Sequence, residues 1–253
     1  MFESAYTSAV NLHRWVVLSP DVLEWVTELG GKKTQAWIVG QAEPKMFKQY
    51  QKLPTVGPFH RPSLEAILAL RPTRVFVTKN GNPAAIVEKL RSSKVSVEVL
   101  DTRSLKGLGS SIKRLSQLME VESEGQIWIQ RLNTVRERKK KKNRSCVLIV
   151  GVAPLVVASR KTFLGEIFDS LGCRIFPEAV SSAYPIIQRE ALLSLSNTEW
   201  FVFGHMLPQE GLLELKNDAH RAKAKMVELN QSEILRPSPW LIKKASEDAT
   251  SFF

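Results

Sequence analysis

The sequence predicts an α/β protein of two pseudo-symmetric lobes, each built on a parallel central sheet, joined by one long backbone helix. Three observations carry that expectation. The stretch Glu65-Ala66-Ile67-Leu68-Ala69-Leu70 leading to Val75-Phe76-Val77 returns as Glu190-Ala191-Leu192-Leu193-Ser194-Leu195 leading to Trp200-Phe201-Val202. Glu, Ala, Leu, Leu, Thr and Val recur at the single offset that relates Glu65 to Glu190. Each half also opens on an apolar strand running into a turn, at Arg14 to Pro20 and at Arg144 to Gly151. In both halves, strand-length apolar runs alternate with stripes of helical period, the pattern of a parallel sheet. Repetition on this scale makes two lobes of one design rather than a solenoid of small units.

The elements follow in order. Trp15 to Leu18 is a buried strand, and Ser19-Pro20-Asp21 starts a helix striped by Val22, Leu23, Val26 and Leu29 and closed by Gly30-Gly31. Ala36 to Val39 is the next strand, and 41–58 a long loop with a short helix around Met46 to Gln51. The first signature helix ends at Pro72, because the residue before a proline is pushed out of the helical region. Its strand ends at Val77-Thr78, before the polar turn Lys79 to Pro83. Ala84 to Leu90 is a helix and Val95 to Leu100 a strand. From Ser104 to about Lys142 the pattern is helical throughout, with Gly125 marking a kink or helix-to-helix step. That segment divides the chain into an N-terminal lobe 1–103, a linking helix 104–143 and a C-terminal lobe 144–253. The second lobe repeats the plan: strand 145–150, a Gly151-Val152-Ala153-Pro154 turn, helix 161–171 and strand 173–176. After the second signature come a helix from Gln209 to Leu215, a strand from Lys225 to Leu229 and a helix from Ser238 to Ser246.

The formal net charge is +11, compatible with an anionic ligand, an anionic membrane surface or a nucleic acid. Part of the excess sits in one run, Arg136 to Arg144, where cations favour the negative end of a helix. A solvated helix end therefore explains the run better than nucleic-acid binding, and nucleic acid is not the expected partner. No apolar run reaches the roughly 18 residues of a membrane span. Met1 to His13 carries no basic or apolar signal region, so the chain is either cytoplasmic or lacks a removed leader. Two cysteines, Cys146 and Cys173, give no disulfide framework; both are expected in the core, and their pairing is open.

Enzyme motifs are missing. There is no phosphate-binding loop, no dinucleotide fingerprint and no nucleophile elbow, so no catalytic residue is assigned. In open parallel sheets ligands lie outside the carboxyl ends of the strands, and with two such lobes the expected site is the cleft between them.

These residues in this order resemble the helical-backbone solute-binding proteins that deliver cobalamin, haem or ferric siderophores to ABC importers. The resemblance spans roughly residues 14–248, and the spacing is closest to cobalamin-binding members. It implies a monomeric, non-enzymatic carrier with no covalent cofactor and with the importer's membrane subunits as partners. By the resemblance, Glu65 and Glu190 dock onto arginines of those subunits; the alternative is two exposed first-turn carboxylates complementing helix dipoles. The family's cleft aromatics correspond to Phe59 and Tyr184, which would stack on a flat ligand, with Asn80 in an adjacent loop. His60 and His205 also fall in cleft loops, but without a metal-binding spacing they rank as ordinary polar residues, and no metal site is assigned. Arg61, Lys79, Arg160, Lys161 and Arg189 are candidates to pair with ligand carboxylates or phosphates. The loop 41–58 is poorer in tyrosine than in cobalamin-binding relatives, and Leu155 and Val156 stand where an aromatic is expected. Haem and ferric siderophore therefore remain alongside cobalamin, and a leaderless cytoplasmic interaction or sensor protein is the alternative function.

Overall fold

A computed structural model describes residues 13–35, 37–42, 50–79, 81–138, 143–204, 207–230 and 232–247 of the 253. The first of its two compact units comprises residues 1–101 with 118–121, the second 102–117 with 122–253. Most of the short helix expected at Met46 to Gln51, and Lys139 to Lys142, lie outside the described residues.

The first unit is a four-stranded parallel sheet. Its strands are β1 (Trp15–Val17), β2 (Ile38–Gln41), β3 (Arg74–Thr78) and β4 (Val97–Leu100), in the order β2-β1-β3-β4. Trp15, Val16 and Val17 pair with Arg74, Val75 and Phe76. Successive side chains point to opposite faces, and both faces are covered, which is why the strands read as unbroken apolar runs. Val16, Leu18, Val75 and Val77 pack with Ile67 of α2 (Leu64–Ala69) and with Ile86 and Leu90 of α3 (Ala84–Ser92). On the opposite face Trp15 meets Phe76 edge to face at 4.9 Å. α1 (Pro20–Gln35) lies against β1 and β3, and its helical path breaks at Gly31, where φ is 53°. Ser63 caps α2 by accepting from the Ala66 N–H at 3.2 Å.

The second unit repeats this order. Its strands are β5 (Arg144–Val152), β6 (Leu155–Val157), β7 (Cys173–Phe176), β8 (Glu199–Val202) and β9 (Lys225–Glu228). β7, β5, β8 and β9 are parallel neighbours in that sequence, matching β2, β1, β3 and β4. The repeated segments become α7 (Arg189–Leu193) and β8, as α2 and β3 do in the first unit. α6 (Phe163–Ser170) starts at its cap Thr162, and its Phe168 packs 4.8 Å from Phe201 of β8. α8 (Gln209–Ala222) runs a further two turns beyond the expected Leu215, burying Leu215, Ala219 and Ala222 on the β-sheet core. α9 (Pro239–Glu247) completes the chain's described elements.

Two features depart from the sequence reading, and a third closes a pairing that it left open. The expected single linking helix is two: α4 (Leu105–Met119) and α5 (Glu122–Glu137), separated at Glu120, whose φ is 56°. Gly125 is not that break. A Cβ there would fall 2.4 Å from Ser116 Oγ, so the glycine lets α5 approach α4 closely. Second, Ala153-Pro154 is the tip of an antiparallel hairpin that adds β6 to the β5 edge. Third, Cys146 and Cys173 are joined in a disulfide that clips β5 to β7 deep in the core, both fully buried.

The basic run is partly structural. Arg138 donates from Nη1 to the Ala245 carbonyl at 2.7 Å and from Nη2 to the Ser246 carbonyl at 3.0 Å, capping the last turn of α9. Arg144 pairs with Glu199, Nε to Oε1 at 2.6 Å, and this guanidinium holds the carboxyl below the usual range for glutamate. The first unit has an ion pair at the matching strand start, Arg74 to Glu98 at 2.5 Å.

The disulfide closes a 27-residue separation. Replacing both cysteines with serine is expected to lower unfolding free energy by about 3 kcal/mol, read as a shift of the urea midpoint. A thiol probe on the unreduced, denatured protein should find no reactive cysteine.

Candidate ligand-binding site

Parallel pairing brings the carboxyl ends of β1, β2, β3 and β4 to one edge of the first unit, and polar side chains collect there. Ser19, Asp21, Gln41, Thr78, Asn82 and Thr102 are all buried. Ser19 donates to the Asp21 carboxylate, and Thr78 Oγ1 lies 3.4 Å from Ser19 Oγ. Asn82 is the organising residue. Its Nδ2 donates to the carbonyls of Phe59 at 2.7 Å and Leu18 at 3.3 Å, while its Oδ1 accepts from the Thr78 N–H at 2.9 Å. One amide therefore ties the loops after β1, before α2 and after β3. The sequence reading missed Asn82; its Gly-Asn-Pro context at the end of a strand was the available signal.

Phe59 sits on this edge. Its turn is closed by Arg61 N–H to the Pro58 carbonyl at 2.8 Å, and its ring would be 3.2 Å from a Cβ at Gly81. Glycine at 81 leaves the ring its place. His60 is exposed, with its ring 5.5 Å from Phe59 in an edge-on arrangement. Asn80 and His205 lie outside the described residues.

In the second unit the hairpin strand β6 supplies the corresponding support. Val157 N–H donates to the Pro185 carbonyl at 3.1 Å, Ile187 N–H to Leu155 at 3.0 Å, and Ser159 N–H to Ala183 at 2.9 Å. The buried Ser159 hydroxyl adds a bond to the Ser182 carbonyl at 2.9 Å. This ladder holds 182–187 extended, so Tyr184 and Ile186 share one outward face at 51% and 66% exposure. Desolvation still raises the Tyr184 phenol above its usual pKa, keeping it a neutral donor. Beside it a cavity of about 390 Å³ is walled by Val152, Leu155, Ile186, Leu215, Arg189 and Asp218. The aliphatic Leu155, at a position where an aromatic was expected, thus belongs to the supporting strand.

Most of the candidate cations are already engaged. Arg189 bridges to Asp218 at 2.6 Å and Glu214 at 2.8 Å on α8, which raises its own pKa and spends its charge on helix packing. Arg160 pairs with Asp169 at 3.0 Å, and Lys79 with Asp101 at 3.2 Å. Lys161 donates to the Ser181 carbonyl at 3.1 Å. Arg61 is exposed. Glu65 and Glu190 are both exposed in the first turns of α2 and α7, at equivalent points of the two units.

Comparison with known proteins places this architecture. A model of the family described as periplasmic binding protein matches residues 16–234. The vitamin B12-binding protein of Vibrio campbellii is 26% identical over 212 residues, 81% of this chain and 77% of the relative. Among solved structures, the periplasmic haem-binding protein of Vibrio cholerae superimposes with a TM-score of 0.77 at 19% identity, covering 96% of this chain and 99% of that one. The periplasmic vitamin B12-binding protein of the same organism gives 0.76 at 19% identity, covering 95% and 96%. The match runs from β1 to the turn before α9 and takes in both sheets, and the chain belongs to the periplasmic binding protein family.

Proposed function

We propose that the chain is the solute-binding component of an ABC-type importer and carries a flat metal chelate, cobalamin first, with haem or a ferric siderophore as the other candidates. The observation that carries this reading is the pair of aromatics Phe59 and Tyr184. Each stands on a strand-end loop just ahead of an equivalent helix, α2 or α7, and each loop is braced by its own hydrogen-bond set. Aromatic faces held in this way suit a corrin or porphyrin plane. Relatives named for vitamin B12 binding and a neighbour named for haem binding support the ligand class. In this reading the protein performs no chemistry; it recognises, carries and hands over.

Glu65 and Glu190 serve as the docking carboxylates toward the membrane subunits. A protein of two equivalent units meeting a paired partner needs one contact on each unit, and these two occupy equivalent exposed positions. Delivery at a membrane puts the carrier in an extracytoplasmic compartment, and the Cys146–Cys173 disulfide suits an oxidising one. No feature favours the importer-free alternative over this reading.

Titration calorimetry with cyanocobalamin, haemin and a ferric siderophore tests the ligand class. Phe59→Ala with Tyr184→Ala is expected to weaken binding by about tenfold or more; unchanged affinity would remove the aromatic assignment. Asn82→Ala leaves the Thr78 amide and the Phe59 loop without their tie. It should cost about 2 kcal/mol of stability and also weaken ligand binding. Glu65→Ala with Glu190→Ala should keep ligand affinity and abolish binding to the membrane subunits in detergent or nanodiscs. Lost ligand affinity in that double variant would contradict the docking role.

A further inference from the structure

Away from the aromatic loops, the second unit contains a cavity of about 450 Å³ where the start of α4, the end of α5 and the loop and body of α6 meet. Lys106, Arg136, Arg138 and Arg160 line it, against the carboxylates of Glu166 and Asp169. Arg160 is answered by Asp169. Arg138 is pinned by its bonds to the α9 carbonyls, which fix its position without cancelling its charge. Cations outnumber carboxylates, so the cavity is positive.

Helix dipoles explain only part of this. Arg136 near the C-terminal end of α5 is where a cation is favoured. Lys106 is not: it stands in the first turn of α4, whose exposed N–H groups already carry partial positive charge. Glu166 Oε2 answers that end by accepting from the Leu105 N–H at 2.6 Å. Burial raises the Glu166 pKa, against the lowering effects of the Leu105 N–H and Arg136. The cavity thus already holds carboxylates supplied by the chain itself, Glu166 at the start of α4 and Asp169 on Arg160, and has room for a larger anion.

We propose that this cavity binds a compact phosphate-bearing anion, gripped by Lys106, Arg136 and Arg138, with Glu166 as a built-in competitor for the same positive field. The shared chemistry is a multiply charged phosphate, offered either as a free anion or as the headgroup of an anionic lipid. Guanidinium groups bind phosphate oxygens in pairs, and an ammonium adds a point charge. The cavity shares no residue with the aromatic loops, so its occupancy is independent of the carrier reading.

The test uses the full chain. Inorganic pyrophosphate is titrated calorimetrically at low ionic strength, and vesicles of phosphatidylcholine with and without phosphatidic acid are sedimented with the protein. Binding to one of the two is expected to be saturable, and about tenfold weaker in Lys106→Ala with Arg136→Ala. Both side chains are exposed, and circular dichroism checks that the variant stays folded. Glu166→Gln keeps an acceptor for the Leu105 N–H and removes the competing charge, so it should tighten binding severalfold. Variant-sensitive pyrophosphate binding identifies a free anion. Variant-sensitive vesicle binding without pyrophosphate binding identifies the headgroup. If neither probe binds, or the double variant binds as well as the wild type, the proposal is wrong and the charge acts only as a diffuse surface.

Discussion

The first strand of each unit sits between two later strands of its own sheet in parallel register, and the rest of the fold depends on that pairing. β1 takes β2 on one side and β3 on the other; β5 takes β7 and β8. Parallel strands cannot be joined by tight hairpins, so each crossover carries a helix that covers a sheet face. Val16, Val17, Val147 and Leu148 are consequently buried to 1% exposure or less, each such side chain contributing about 1.5–3 kcal/mol. The same geometry brings the carboxyl ends of the parallel strands of each sheet to one edge. The loops that leave that edge are where Phe59 and, in the other unit, the ladder supporting Tyr184 are found.

Each unit then solves the same loop problem with different chemistry. In the first, a single side-chain amide, Asn82, satisfies backbone groups from three segments. In the second, an extra antiparallel strand does so with backbone bonds. The ion pairs at the strand starts show a related exchange. Arg74 and Glu199 occupy equivalent positions with opposite charge. Arg74 finds its partner on the fourth strand of its sheet and Glu199 on the first of its own. Repeated backbone pairing with unrepeated side chains is the pattern of a duplicated frame whose surfaces have diverged.

The frame was legible in the sequence because buried parallel strands read as apolar runs and the signature repeat marked two units of one plan. The features the sequence did not announce are ones that local pattern does not encode, and most depend on neighbours that only the fold brings together. Glu120 breaks the linking helix without a glycine or proline to announce it. Gly125, which looked like the break, answers instead to Ser116 on a neighbouring helix. Cys146 and Cys173 pair only because β5 and β7 become neighbours. Arg189 looked available to a ligand until α8 brought Glu214 and Asp218 to it. For the proposed site, the resemblance offered the aromatic positions Phe59 and Tyr184, whereas the residues that brace their loops, Asn82 and Ser159, are not marked by it.

The central claim is that strand-end loops of both units hold the ligand. Hydrogen–deuterium exchange of the full chain, with and without saturating cyanocobalamin or haemin, tests it most directly, because exchange reports local opening segment by segment. The account requires ligand-dependent protection at 58–61 and 81–82 in the first unit together with 182–187 in the second. Protection confined to one unit, or appearing elsewhere while these loops stay unchanged, would contradict it.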